Sequence, residues 1–325
     1  MKRIAIVACF LLLACVQAGG QFFQSVDEWL QKRQQKQPYD TTYIFRPQER
    51  WRLRTTAKVE GESVLLVAVT PDIDKYGLNL NRLPKYKHTF GVGYRSLILD
   101  LGFTPVGKNY SYGGALNIQG NRFGVSLEGG ASIGFKGVAL VDEEKTKDLP
   151  EDGFLVMNAG LSAYYAFNGK RFSMPAAMNQ AYRQRKGAGS FLATLTIRTY
   201  GIILNRYADL NAQPEIAWTG LIGLGGGYAY NFVPSGNWLI HIGLTETVGF
   251  LNSSAAKING TEYSFKTEVP AFVTKGTVAV LYYWGKWYTG VYANYDSTLY
   301  LGENNLAFLF SRAAYNANLT LGVRF

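Results

Sequence analysis

Along much of this chain apolar and polar residues alternate one by one, the period of a strand with one face in an apolar phase and the other in a polar one. Residues 122 to 135 show the pattern clearly. Phe123, Val125, Leu127, Ala131, Ile133 and Phe135 share one face, while Arg122, Ser126, Glu128 and Ser132 share the other with glycines between them. A helix would scatter those polar residues among the apolar ones. The last stretch repeats the pattern, with Ala313, Tyr315, Ala317, Leu319, Leu321, Val323 and Phe325 alternating with Asn316, Asn318, Thr320, Gly322 and Arg324. Similar alternation predicts strands at 52–69, 86–94, 97–103, 110–119, 154–167, 189–199, 214–232, 237–250, 272–284 and 286–296.

Counted together these make about twelve strands, with ten to fourteen inside the error of boundary placement. Several exceed the roughly 5–6 residues of a soluble strand and reach the roughly 9–11 that cross a bilayer obliquely. In lipid every backbone donor and acceptor needs a partner, and only closure removes unpaired edges. The expected fold is therefore all-β: a transmembrane antiparallel up-and-down β-barrel, apolar outside and polar within. For the last strand the competing reading is the edge of a soluble sandwich. Its terminal aromatic, Phe325, is instead the kind of signal that bacterial barrel-assembly machinery reads.

Connections give the barrel a direction. Short turns fall at Arg95-Ser96, Gly120-Asn121, Pro234–Asn237 and Gly285-Lys286, and longer connections near 71–85, 104–109, 136–152, 204–213, 252–270 and 297–312. Barrels of bacterial outer membranes keep short turns in the periplasm and long loops outside. Tyr228, Tyr230, Phe232 and Trp238 flank one short turn, and Tyr282, Tyr283, Trp284, Trp287 and Tyr288 another, as an interfacial girdle would. The stretch Val141 to Gly153 carries six acidic residues, suited to an aqueous exterior.

Composition adds compartment. Lys2 and Arg3, the apolar run Ile4 to Leu13 and Val16-Gln17-Ala18 form a secretory signal over residues 1–18. Leu12-Leu13-Ala14-Cys15 offers a lipidated Cys15 as the alternative. Both cysteines, Cys9 and Cys15, fall in this leader. The longest later aliphatic run, Val64 to Val69, is too short for a membrane helix. A net charge of +10 would suit nucleic acid in a cytosolic protein; an exported chain meets lipid headgroups, glycan or periplasmic partners instead. The expected place is the bacterial outer membrane, among its lipids.

Two segments break the alternation, dividing the mature chain into a periplasmic segment at 19–50 and a barrel at 51–325. In the first, Ser25 to Glu28 forms a capping box for a short helix through Lys36; this segment reads as a solvated leader or a lumen plug. The second, 168–190, is a basic insertion carrying Lys170, Arg171, Arg183, Arg185 and Lys186. Ser173 is placed to cap a helix from Met174 to Gln184, with Gly187 closing it. Strand counting puts the insertion on the periplasmic side, where it contacts headgroups or docks an anionic partner.

Few residues of this chain offer catalytic or metal-binding chemistry. Only two histidines occur: His88 on a lipid-facing row, and His241 on a lumenal one. With no mature cysteine they argue against a transition-metal site, and no cofactor is implied. Asp100, Arg122, Glu128 and Arg198 are expected in the lumen with His241, as mutually neutralising charges or as a selective constriction. Glu246 falls on the apolar row of Ile240, Ile242 and Leu244, which predicts either a rim position or a nearby bulge. Gly223 to Gly227 lacks the helix and Lys-Ser/Thr of a phosphate loop.

Tyr164-Tyr165-Ala166-Phe167-Asn168, Arg171-Phe172-Ser173, Gln184 and Gly187-Ala188-Gly189-Ser190 resemble the core motif of a Bacteroidetes outer-membrane barrel family catalogued as domain of unknown function 4421. Tyr39-Asp40-Thr41-Thr42-Tyr43-Ile44 and Gly91-Val92-Gly93-Tyr94 resemble it too, and the likeness spans roughly 39–325. Members often carry serine where this chain has Gly187. The resemblance implies a membrane barrel and brings no catalytic residues. The expected function is a non-enzymatic envelope protein, either a narrow porin-like channel or a structural scaffold. The alternatives are a lipid-modifying enzyme with His241 or His88 as base, and a docking module for an envelope partner.

Overall fold

The structure, a computed structural model, describes residues 25, 28, 29, 31, 32, 38–69, 75–104, 110–141, 144–151, 153–204, 216–258, 261–266, 270–302 and 308–325. The expected signal at 1–18, with Cys15, lies outside them. Residues 1–38 and 39–325 cluster as separate units. In the first, Ser25, Glu28, Trp29, Gln31 and Lys32 are helical, so Ser25 sits within a helix rather than capping one from outside.

The second unit runs β1 (Ile44–Phe45), β2 (Trp51–Val69), β3 (Lys75–Tyr94), β4 (Leu97–Phe103), β5 (Ser111–Gln119), β6 (Phe123–Ser132), β7 (Lys136–Val141), β8 (Glu144–Leu149) and β9 (Phe154–Ala166). Helix α1 (Met174–Met178) follows, then β10 (Arg183–Gln184), β11 (Ala188–Leu204), β12 (Ile216–Phe232) and β13 (Trp238–Ile258). The chain ends with β14 (Thr261–Lys266), β15 (Ala271–Trp284), β16 (Trp287–Gly302) and β17 (Phe308–Arg324). Twelve strands form one closed antiparallel cylinder, in the order β2-β3-β4-β5-β6-β9-β11-β12-β13-β15-β16-β17 and back to β2. All twelve expected strands are among them. Closure pairs Arg52 with Arg324 at one end of the seam and Ala68 with Phe308 at the other.

Alternation sorts the two faces as expected over most of the wall. Leu99 and Leu101, Ile242 and Leu244, and Leu319 and Leu321 are exposed on the outside. So continuous an apolar belt matches lipid, not water. Trp51, Tyr228, Phe232, Trp238, Trp284, Trp287 and Phe325 form an exposed aromatic ring near the short turns. Tyr283 and Tyr288 were expected in that girdle, but both point inward and are buried. Their strand parity puts them opposite Tyr282 and Trp287.

The end with long connections departs from expectation in two ways. Much of its presumed loop is strand: β3 begins at Lys75, β13 continues to Ile258 and pairs with β14, and β17 begins at Phe308. The hairpin β7–β8 pairs with the far half of β3, above the short strand β4. The interior there is also apolar. Val64, Leu66 and Ala68 of β2 meet Leu78 and Leu80 of β3, Phe154 of β9, Tyr200 and Ile202 of β11, Val273 of β15, Tyr300 of β16 and Phe310 of β17 in one buried cluster. On β2 the inward row reads Arg52, Arg54, Thr56, Lys58, Glu60, Glu62 and then Val64, Leu66, Ala68.

Candidate functional site

The lumen is built in three layers, and the first is the insertion at 168–190. It was expected to lie flat against headgroups or partners. It folds instead into the mouth of the barrel at the short-turn end. Ser173 caps α1, its Oγ accepting from the Ala176 N–H at 3.2 Å, and Pro175 lies in the first turn. The helix stops at Met178 with Asn179 as its cap, well short of Gln184, and Gly187 takes no part in ending it. Gln180 adopts the left-handed backbone, φ 55°.

A helix end leaves carbonyls unpaired, and here the barrel wall satisfies them. Tyr283 Oη donates to Ala176 O at 2.9 Å, Arg54 Nη1 to Met178 O at 3.0 Å, and Arg324 Nε to Gln180 O at 3.3 Å. Gln180 Nε2 donates to Tyr292 Oη at 2.8 Å and to Ala177 O at 2.9 Å. Ala176 and Ala177 are fully buried among Leu239, Leu281, Tyr283, Tyr288 and Tyr292. Alanine is what a helix inside a narrow cylinder demands.

Gln184 ties the plug together. Its Nε2 reaches the carbonyls of Arg171 (2.6 Å), Lys186 (2.9 Å) and Tyr43 (3.3 Å), and its Oε1 accepts from Ser173 N (3.0 Å) and Asn231 Nδ2 (3.1 Å). The segment before the barrel joins here, since β1 pairs with β10 and Ile44 is fully buried. Residues 39–45 are thus part of the plug, not a solvated leader. Asp40 starts this contact. Its Oδ1 accepts from Thr42 N at 2.9 Å and Thr42 Oγ1 at 2.6 Å, which holds its carboxyl below the ordinary value of 3.8. Of the basic residues, Lys170, Arg171, Arg185 and Lys186 are exposed, and Arg183 is half-buried over the Tyr283 ring.

The middle layer is a polar chamber of about 500 Å³, floored by Met178. Arg54, Lys58, Arg82, Lys87, Arg198, Lys275 and Arg312 line it, with Glu60, Glu62, Asp100, Glu128 and Asp296. They form nearly one connected network. Glu60 is shared by Lys58 (2.8 Å), Arg82 (3.1 Å) and Lys87 (3.6 Å). Arg82 reaches on to Glu62 (3.5 Å), Glu62 to Arg312 (2.5 Å), and Arg312 to Asp296 (3.3 Å). Asp296 pairs with Arg198 through two oxygens, at 2.6 and 2.5 Å, and Arg198 and Lys275 share Glu128 at 3.3 and 3.7 Å. Separately, Arg54 grips Asp100 at 2.8 and 2.5 Å. Such bidentate pairs offset the cost of taking charges out of water.

The third layer is the apolar cluster already described, which fills the interior above Glu62. Of the charges expected in the lumen, Asp100, Glu128 and Arg198 enter the chamber. Arg122 does not. It lies under the turn of the plug, where a Cβ on Gly169 would fall 2.4 Å from its Cγ. His241 faces inward as expected but below the chamber, its Nδ1 2.7 Å from Asn231 Oδ1 and its ring stacked on Phe172. His88 stays on the lipid face, its Nε2 2.7 Å from Thr55 Oγ1 and its Nδ1 2.8 Å from Tyr86 Oη.

Glu246 also faces outward, accepting from Thr274 Oγ1 at 2.6 Å. It is not at the rim, because β13 continues to Ile258 and exposed Val248 and Phe250 follow it. The bulge in β13 lies opposite Ile222 and Gly223, beyond Glu246, and does not turn it inward. Among the described residues no group of three or more His, Cys, Asp or Glu is placed to hold a metal ion.

No curated protein matches the chain. Among solved structures it is similar to the outer membrane protease OmpT from Escherichia coli, with 9% identity, a TM-score of 0.41, and 85% of this chain and 97% of that one covered. It is similar also to the translocator domain of the autotransporter NalP from Neisseria meningitidis, with 9% identity, a TM-score of 0.39 and 99% of each chain covered. The toluene transporter TbuX of Ralstonia pickettii aligns at 10% identity with a TM-score of 0.34, over 86% of this chain and 90% of that one. Likeness so remote carries no substrate or activity across. Residues 38–325, plug and barrel alike, match the family described as Domain of unknown function (DUF4421), and this outer-membrane barrel belongs to it.

Proposed function

We propose that the protein is a sealed, non-conducting and non-enzymatic element of the outer membrane, a structural or scaffolding barrel rather than a pore. One observation carries this reading: the lumen is stoppered twice, by α1 with its flanking segments at one end and by the buried Val64–Phe310 cluster at the other. A conducting pore needs a continuous wetted path; the plug spends buried polar groups such as Gln180 and Gln184 on bonds to itself and the wall, and the far cluster is apolar. By the rule that short turns face the periplasm, the plug with Lys170, Arg171, Arg185 and Lys186 is the periplasmic side. This arrangement also suits a docking role for an envelope partner. Planar-bilayer recording on the detergent-purified barrel tests the proposal. The expected trace is flat, and discrete, reproducible conductance steps from the intact protein would overturn it.

The lipid-modifying alternative is favoured by one contact, the approach of His88 Nε2 to the Thr55 hydroxyl on the lipid face. A base beside a hydroxyl is the first requirement of acyl transfer. Phospholipid turnover that is present in the parent protein and lost in both Thr55→Ala and His88→Ala would establish it.

A further inference from the structure

The chamber in the middle of the lumen carries more positive than negative charge. Seven cationic side chains line it against five carboxylates, an excess of two. The excess concentrates at Glu60, where Lys58, Arg82 and Lys87 converge on one carboxylate.

The wall facing Lys87 is bare. Gly102, Gly113 and Gly130 are successive cross-strand neighbours on β4, β5 and β6. A Cβ at Gly102 would lie 2.9 Å from Lys87 Cε, and one at Gly113 would lie 3.1 Å from its Nζ. These glycines make the room in which the Lys87 side chain lies. The Ser111 hydroxyl lies beside it, accepting from Lys87 Nζ at 3.1 Å and donating to Glu60 Oε1 at 3.1 Å. Volume and surplus cations meet at one point.

We propose that this chamber binds a small divalent oxyanion of the phosphate or sulfate class, held beside Glu60 by Lys58, Arg82 and Lys87. A dianion cancels the excess of two, and oxyanions take the short charge-assisted bonds that ammonium and guanidinium groups offer. Since α1 floors the chamber, exchange with bulk solvent is slow in the closed barrel, and the anion enters as the barrel folds.

The test is to refold the full chain into detergent with millimolar inorganic phosphate, sulfate or chloride at matched ionic strength. Thermal loss of the heat-modifiable gel band is then followed. Phosphate or sulfate is expected to raise the midpoint saturably, where chloride does not. Lys58→Met and Lys87→Met should each weaken the response about tenfold or more, one charge-assisted hydrogen bond being lost. Ala115→Leu, which adds bulk to the chamber wall between Asp100 and Glu128 and removes no charge, should abolish the response in a folded barrel. Lys136→Met, at an exposed ion pair with Glu151 outside the chamber, should respond as the parent does. An equal effect of chloride, or a parental response from folded Lys87→Met and Ala115→Leu, overturns the assignment.

Discussion

Replacing Gln184 with leucine tests how the plug is held. The side chain is buried and makes contacts to three carbonyls and two donors, while leucine matches its bulk and makes none. The carbonyls of Arg171 and Lys186 lie beside exposed side chains, so water replaces much of what they lose. The Ser173 N–H and one Nδ2 proton of Asn231 are buried without that recourse, the other Nδ2 proton keeping its bond to Ser173 O, and leaving each unpaired costs about 1–3 kcal/mol. The closed plug should therefore lose about 2–6 kcal/mol, which multiplies its open population by a factor on the order of 30 to 10,000. The cylinder itself, closed by ladders that do not pass through Gln184, should stay intact. Hydrogen exchange resolved by segment reads the effect directly: amides of 173–187 should exchange faster by that factor, while those of β12 and β16 keep their protection. Trypsin should gain access to Arg183 in the same variant. Parental exchange rates across 173–187 in a folded Gln184→Leu barrel would refute the reasoning.

Other expectations follow from the remaining layers. Phe310→Ala, which empties a fully buried ring stacked 5.6 Å from Tyr200, should cost about 3–5 kcal/mol, read as a lower urea midpoint with plug exchange unchanged. Glu246→Leu, on the lipid face, should stabilise the barrel by about 1 kcal/mol, since a carboxylate in the apolar band is unfavourable though less so than a basic residue; refolding equilibria in lipid vesicles would show it. Asp40, held below 3.8 by its bonds from Thr42, contributes stability that is present above its unfolded value and disappears as pH falls through the lower folded one. Below about pH 4 the 39–45 contact should loosen, and Thr42→Ala should raise the Asp40 titration midpoint seen by carboxyl NMR.

How much of this was legible beforehand depends on whether neighbours in sequence decide it. Strand number and face are local: parity along 122–135 and 313–325 separates lipid from lumen, because the side-chain period of a strand is two. Ser173 as a cap was equally local. The apolar stopper did leave a signal, since Val64 to Val69 abandons alternation and so requires an apolar environment on both faces. Read only as a run too short for a membrane helix, it passed unnoticed. Arg54, Lys58, Glu60 and Glu62 were also visible as the inward row of β2, yet nothing local shows that Glu62 meets Arg312 across the seam.

The sequence by itself therefore determined a membrane barrel of about twelve strands, the side most wall residues face, the end at which its short turns lie and the family it joins. Only the tertiary structure decided what fills the barrel. Whether 168–190 lies against the membrane or enters the lumen turns on contacts from Gln184 to Asn231 and from Tyr283 to α1, which join strands far apart in the chain. Those contacts exist only once closure brings opposite walls within reach. The same holds for the charge balance of the chamber, a property of seven cations and five carboxylates gathered from distant strands.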